Sequence, residues 1–176
     1  MEFIPFPKLA RWSREIVITE KLDGTNASIY ISEDGEFKTG SRTRWITPED
    51  DNYGFSRWAH ENKDELMKLG TGHHFGEWWG QGIQCGYGLK EKRFSLFNTG
   101  RWNVTNIPSC VSIVPLLYVG PNKEEAILDC LNSLEMLGSF AARGFMNPEG
   151  IVIYHTASKT SFKKTIKKDE SPKGLA

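Results

Sequence analysis

The strongest constraint on the fold lies in residues 16–31, where two β-rich runs flank a tight turn. Ile16-Val17-Ile18-Thr19 has the composition of a buried strand, Asp23-Gly24 is turn chemistry, and Ala27-Ser28-Ile29-Tyr30-Ile31 alternates with a period of two. Glu33-Asp34-Gly35 then supplies a hairpin turn, and Glu36-Phe37-Lys38-Thr39 returns as its partner strand. A chain with this opening is set to build antiparallel sheet. Where the first strand meets the turn, in Glu20-Lys21-Leu22-Asp23-Gly24-Thr25-Asn26, Lys21 projects from a rigid junction. Most single lysines are solvated and serve only solubility, so Lys21 takes its meaning from what the rest of the chain supplies.

Ser41-Arg42-Thr43-Arg44 brings two guanidinium groups near one end of that sheet. Thr47-Pro48-Glu49-Asp50 predicts a helix start, with a capping hydroxyl, proline at the first helical position and acids in the first turn. Phe55, Trp58, Ala59, Leu66 and Leu69 then recur at helical spacing as core positions, although Asn62 weakens the stripe. His73-His74 reads as a strand start, and neighbours on a strand face opposite sides, which makes a shared metal ion unfavourable. Phe75-Gly76-Glu77-Trp78-Trp79 is an aromatic strand interrupted by an acid, either surface-facing or held for a partner. The glycines at 80, 82, 86 and 88 predict a flexible loop, too loosely spaced for a phosphate cradle. In Arg93-Phe94-Ser95-Leu96-Phe97-Asn98, Phe94 and Leu96 share one face and Ser95 and Phe97 the other.

Further on, Ile113 to Val119 predicts a strand broken or edged at Pro115. A sheet-covering helix follows, with Glu124 and Glu125 in its first turn, an apolar stripe of Ile127, Cys130, Leu131, Leu134 and Leu137, and Gly138 as its cap. Asn147-Pro148-Glu149-Gly150 is a turn that delivers an acid to the strand Ile151-Val152-Ile153-Tyr154. Residues 161–168 predict a last strand carrying a cluster of lysines. Pro5 and Pro7 predict an extended arm over residues 1–14 that packs on the body, and Asp169 to Ala176 a polar tail.

These elements fit an α+β fold of antiparallel sheets with covering helices. The length of 176 residues suits a single domain, 1–176. Lysine plus arginine balances aspartate plus glutamate at 22 each, so a polyanion would have to be met by a local stripe of charge rather than by the whole surface. Cys85, Cys110 and Cys130 lie far apart with neither zinc nor disulfide spacing, and read as reduced thiols. With no leader pattern and no membrane-length apolar run, the expectation is a soluble, cytoplasmic protein with no membrane partner.

Taken in order, the lysine turn, arginine pair, acid in an aromatic strand, aromatic strand, acid–glycine turn and lysine strand resemble the covalent nucleotidyltransferases, the superfamily of ATP-dependent DNA and RNA ligases and messenger RNA capping enzymes. Lys21-Leu22-Asp23-Gly24, Ser41-Arg42, Phe75-Gly76-Glu77, Arg93 to Phe97, Glu149-Gly150-Ile151-Val152 and Phe162-Lys163-Lys164 carry the resemblance over residues 20–167, and Asn26 is similar to the phage-type RNA ligase branch. The resemblance implies the adenylation-domain fold of ligases, ATP as nucleotide, and Mg²⁺, with Mn²⁺ as a substitute. Lys21 would be the nucleophile, attacking the α-phosphorus of ATP in its neutral form, which nearby cations favour. Glu20 would border the adenine pocket, Phe97 would stack on the base, and Glu77 would accept from a ribose hydroxyl. Arg42 would contact the sugar or a 5′-phosphate, Asn26 would assist at the metal or phosphate side, Glu149 would hold the metal, and Lys163 would touch the α-phosphate. The family's last motif has two lysines two residues apart. Here the second position is Thr165, so that role falls to Lys164 or Lys167 or is absent.

The family's ligases also usually carry a further domain after this motif. The expectation here is none, neither an OB-fold nor another, with engagement of the nucleic acid left to this domain or to a partner protein. The implied activity is strand joining, RNA before DNA, at 5′-phosphate and 3′-hydroxyl ends. Alternatives are an enzyme that stops at adenylylation, a capping-type guanylyltransferase, and a non-catalytic nucleotide- or RNA-binding domain.

Overall fold

The computed structural model describes residues 1–170, so positions 171–176 of the expected polar tail lie outside the described residues. In chain order the strands are β1 (Glu15–Lys21), β2 (Thr25–Ile31), β3 (Phe37–Gly40), β4 (Trp45–Ile46), β5 (Gly72–Gly80), β6 (Lys92–Leu96), β7 (Ser112–Ile113), β8 (Leu116–Pro121), β9 (Gly150–His155) and β10 (Thr160–Thr165). The helices are α1 (Phe55–Glu61), α2 (Lys63–Leu66) and α3 (Glu124–Leu137). They form two compact units, one of residues 1–21, 116–140 and, among the described residues, 146–170, the other of residues 22–115 and 141–145. No helix among the described residues is long and apolar enough to cross a membrane.

The first unit is an antiparallel sheet in the order β10-β9-β1-β8. Alternation along β1 sends Ile16, Ile18 and Glu20 to one face, where Ile16 and Ile18 pack with Ile151 against Cys130, Leu131 and Leu134 of α3. That burial is what holds α3 on the sheet, since a short isolated helix is marginal in water. Leu137, expected in the same stripe, is exposed because the last turn of α3 runs past the packed residues. The arm of residues 1–14 is exposed throughout. Near its end it is tied down, where Trp12 stacks on His155 and its carbonyl accepts from His155 Nε2.

The second unit is a six-stranded sheet in the order β4-β3-β2-β5-β6-β7, antiparallel except for the β6–β7 pair. Ala27, Ile29 and Ile31 of β2 share a core with Trp78, Phe94 and Leu96 and with Phe55, Ala59 and Leu66 of the helices. The predicted break at Pro115 is present, separating β7 from β8. The expected helix start at Thr47 is not. Its signals close a local turn instead, with Thr47 Oγ1 accepting from the Asp50 amide and Asp50 paired to Arg44. The helix begins at Phe55, where Asp51 accepts from the Ser56 and Arg57 amides at 2.7 and 3.0 Å. The glycine loop after β5 is pinned rather than flexible, because Tyr87 at φ 54 is buried against Trp79 and Phe145.

His73 and His74 do point to opposite faces, His73 outward and His74 into the core. His74 Nε2 donates to the Gly70 carbonyl at 2.8 Å, while its buried Nδ1 has no hydrogen-bond partner among the described residues. Burial therefore pushes its pKa below the ordinary value, because a proton on Nδ1 would have no acceptor. With the folded value depressed, the unfolded chain takes the proton first, so this contribution to stability is complete above about pH 6.5 and is lost as pH falls through the depressed folded value. Urea midpoints measured from pH 7.5 to 5 should fall in this range, and His74→Gln should flatten that part of the profile.

Candidate active site

In the first unit, β1 ends at Lys21, whose register partner on β9 is Gly150, itself opposite Thr165 of β10. The preceding row is Thr19, Val152 and Lys163, which puts Lys163 on the same face as Lys21. Lys21 Nζ lies 2.6 Å from Glu149 Oε2, and both side chains are mostly buried, 20% and 12% exposed. Gly150 makes this junction close. Its φ is +148°, and a Cβ there would lie 2.2 Å from the Lys164 carbonyl oxygen, so only glycine lets β10 approach and leaves Glu149 beside Lys21.

Strand alternation separates two of the expected residues, Glu20 and Lys164, from this face. Glu20 points to the α3 side, 1% exposed, where its carboxylate accepts from Ser139 Oγ at 2.5 Å and from the Phe140 amide at 2.9 Å. This ties Glu20 to the interior of its own unit. Lys164 falls in the row of Glu20 and Ile151, on the face opposite Lys21, and pairs with Asp169. Thr165 is in the row of Lys21, but its amide donates to Asp169 Oδ1. Lys167 Nζ donates to Asn147 Oδ1 at 2.5 Å, next to the turn that carries Glu149.

In the second unit, Asn26 and Glu77 are cross-strand partners on β2 and β5. Glu77 accepts from Asn26 Nδ2 at 3.0 Å and from the Gly24 amide at 3.1 Å, so its orientation is fixed from both ends. Gly24 is required here for approach rather than for φ, since a Cβ would meet the Trp78 carbonyl at 2.4 Å. The Asp23 amide donates to Tyr87 Oη at 2.7 Å, which fixes the turn that follows Lys21 in sequence. Phe97 continues the β6 register, its amide donating to the Phe75 carbonyl, and its ring is partly exposed. Arg42 is exposed in the β3–β4 loop.

The structure thus pairs Lys21 with Glu149 in one unit, with Lys163 on the same sheet face, and pairs Asn26 with Glu77 in the other, with Phe97 two residues beyond Glu77's register partner Ser95. Reading the sequence missed Tyr87, Ser139 and Phe140. Only the Gly86-Tyr87-Gly88 context carried a signal for any of them, a bulky residue between glycines that forces an unusual backbone. Chemically, the first set offers an amine paired with a hard carboxylate and a second lysine on the same face, and the second a carboxylate of fixed orientation.

The family model described as RNA ligase matches residues 14–168. Among curated protein sequences nothing matches the chain. Among solved structures, a mutant RNA ligase of Naegleria gruberi with ATP and Mn is similar with a TM-score of 0.64 at 21% identity, over 88% of this chain and 50% of that one. Another mutant of the same ligase, with AMP and Mn, gives 0.60 at 22% identity, over 88% and 50%. The α+β fold is therefore that of the RNA ligase adenylation domain, and the chain spans about half the length of the Naegleria protein.

Proposed function

The chain belongs to the RNA ligase family, and from that premise we propose that it is an ATP-dependent ligase of polynucleotide ends, RNA before DNA, working through a covalent adenylate on Lys21. The observation that carries this reading is the Lys21–Glu149 pair at the strand junction, with Lys163 on the same face. Lys21 Nζ attacks the α-phosphorus of ATP, a P–N bond forms, the α–β phosphoanhydride breaks, and pyrophosphate leaves. A 5′-phosphate oxygen then attacks the same phosphorus, returning the amine and giving an adenylylated end. The 3′-hydroxyl attacks that end, a phosphodiester forms, and AMP leaves.

In the ion pair the lone pair of Lys21 is taken up by a proton, so the first step needs the Glu149 carboxylate engaged elsewhere. A divalent cation fits that requirement. Among the described residues no cluster of three or more His, Cys, Asp or Glu is placed to hold a metal alone. Mg²⁺ is commonly held by one or two carboxylates plus substrate phosphates. Glu149 is the residue that would hold it, and when bound the ion offsets negative charge on the phosphates. Lys163 would contact the α-phosphate, Glu77 would accept from a ribose hydroxyl with Asn26 holding its second oxygen, Phe97 would stack on the base, and Arg42 would meet the 5′-phosphate. Three unpaired cysteines support a reducing, cytoplasmic setting.

The test is to incubate the protein with Mg²⁺ and ATP or GTP labelled at the α-phosphate, then denature it. Label from ATP is expected on the protein, and added 5′-phosphorylated RNA should remove it and yield adenylylated and joined strands. No protein-bound label from either nucleotide would sink the reading, and label from GTP alone would make the enzyme a capping-type guanylyltransferase.

A further inference from the structure

One face of the six-stranded sheet carries more than the Asn26–Glu77 row. The next row along the strands is Trp45, Gly40, Ser28 and Phe75, continued by Phe97, and the one after it holds Lys38, Tyr30 and His73. Four rings in these two rows touch one another. Trp45 stacks on His73 with centroids 5.5 Å apart at 13°, His73 meets Phe75 at 4.6 Å, and Tyr30 meets the edge of His73 at 5.3 Å. Gly40, between Trp45 and Ser28 in this row, leaves the Trp45 ring lying against it, and a Cβ there would come within 2.7 Å of Ser28 Oγ. Trp45 is 50% exposed and Phe75 56% exposed, so the cluster packs on itself without being covered.

We propose that this aromatic strip is the docking surface for an unpaired stretch of the RNA substrate, a few nucleotides from the reacting end, with bases stacked on Trp45 and Phe75. The inference rests on the ligase reading for the identity of the strand and adds where the strand lies. Three observations favour RNA as the occupant. The strip is built from exposed rings, and every nucleobase offers a face to stack on such rings whatever the sequence. A cation borders it, with Lys38 Nζ 6.0 Å from the Trp45 centroid, and Arg42 is exposed on the β3–β4 loop that leads into Trp45. The ion pair of Lys38 with Glu36 is exposed and yields readily to a phosphate. Finally, the strip lies on the same sheet face as Glu77 and Asn26 and begins one row from them, so a strand engaged with that site reaches it without changing face.

The test measures anisotropy of labelled, 5′-phosphorylated 12-nucleotide single-stranded RNA and of a 12-base-pair RNA duplex, alongside adduct formation with labelled ATP alone. The wild type should prefer the single strand. Trp45→Ala should weaken it by roughly 5- to 150-fold, the range for one base–aromatic stack. It should leave adduct formation unchanged, and Trp45→Phe, which keeps a ring, should retain binding. If Trp45→Ala unfolds, Phe75→Leu, which keeps the bulk and removes the ring, is expected to weaken binding in the same way. Equal RNA affinity in these variants, a preference for duplex, or self-association of the wild type that Trp45→Ala abolishes would overturn the proposal. An adduct on the wild type with RNA binding untouched by the variants refutes the strip and leaves the ligase reading standing. Ring-dependent RNA binding without any adduct does the reverse.

Discussion

Lys21→Ala should lower covalent labelling from ATP by on the order of 10³-fold or more, because no other group replaces the attacking amine. The substitution also removes a partner from Glu149, and breaking a mostly buried ion pair costs about 1–3 kcal/mol of stability, so loss of label alone would be ambiguous. Lys21→Arg resolves this. Arginine keeps the positive charge for Glu149 but is a poor nucleophile at this position, and the variant should unfold at nearly the wild-type urea concentration with no adduct. An arginine variant that still carries label would show that Lys21 is not the nucleophile.

The second large effect is structural. Gly150→Ala should destabilise the protein by about 3 kcal/mol or more, through a backbone clash together with a disfavoured positive φ. The added methyl meets the carbonyl of Lys164 and Cα of Thr165, both main-chain atoms, so no side-chain rotation relieves it. β10 would have to move away from β9, carrying Lys163 with it, and Glu149 would lose its position beside Lys21. Denaturant unfolding and the labelling assay on the same sample should therefore both change. Wild-type stability in this variant would mean that the close approach of the two strands is not required.

Much of the fold was legible because burial imposes a simple period on the sequence. The alternation at Ala27 to Ile31, the split of Phe94 and Leu96 from Ser95 and Phe97, and the α3 stripe at Ile127 to Leu134 all follow from apolar side chains gathering on the core face, although Ser28 and Ser95 on the other face are buried as well. What was not legible depended on groups distant in sequence. Thr47 and Asp50 carry helix-start chemistry, but they spend it on a turn, and the first amides of the helix, those of Ser56 and Arg57, donate instead to the Asp51 carboxylate five and six residues earlier. Tyr87 looked like part of a mobile loop because its partners, Asp23 and Phe145, are 64 and 58 positions away. For the candidate site, residue types could be read but not their facing. The alternation that buries Ile16 and Ile18 also puts Glu20 on their face, against Ser139 and Phe140, and Lys164 likewise sits one position out of phase with Lys21. Thr165 was recognised as out of pattern, yet its tie to Asp169 needed coordinates.

Because neighbouring strand positions face opposite ways, Glu20 and Lys21 answer to different selective pressures. Glu20 holds Ser139 and Phe140 inside its unit, whereas Lys21 meets Glu149 on the other side of the same strand. A library randomised at both codons and sorted only for soluble expression should therefore purge changes at Glu20 while tolerating arginine at Lys21. The same library sorted for strand joining should retain neither. Comparing the two enrichment profiles would separate, at adjacent codons, what the molecule needs to exist from what it needs to act.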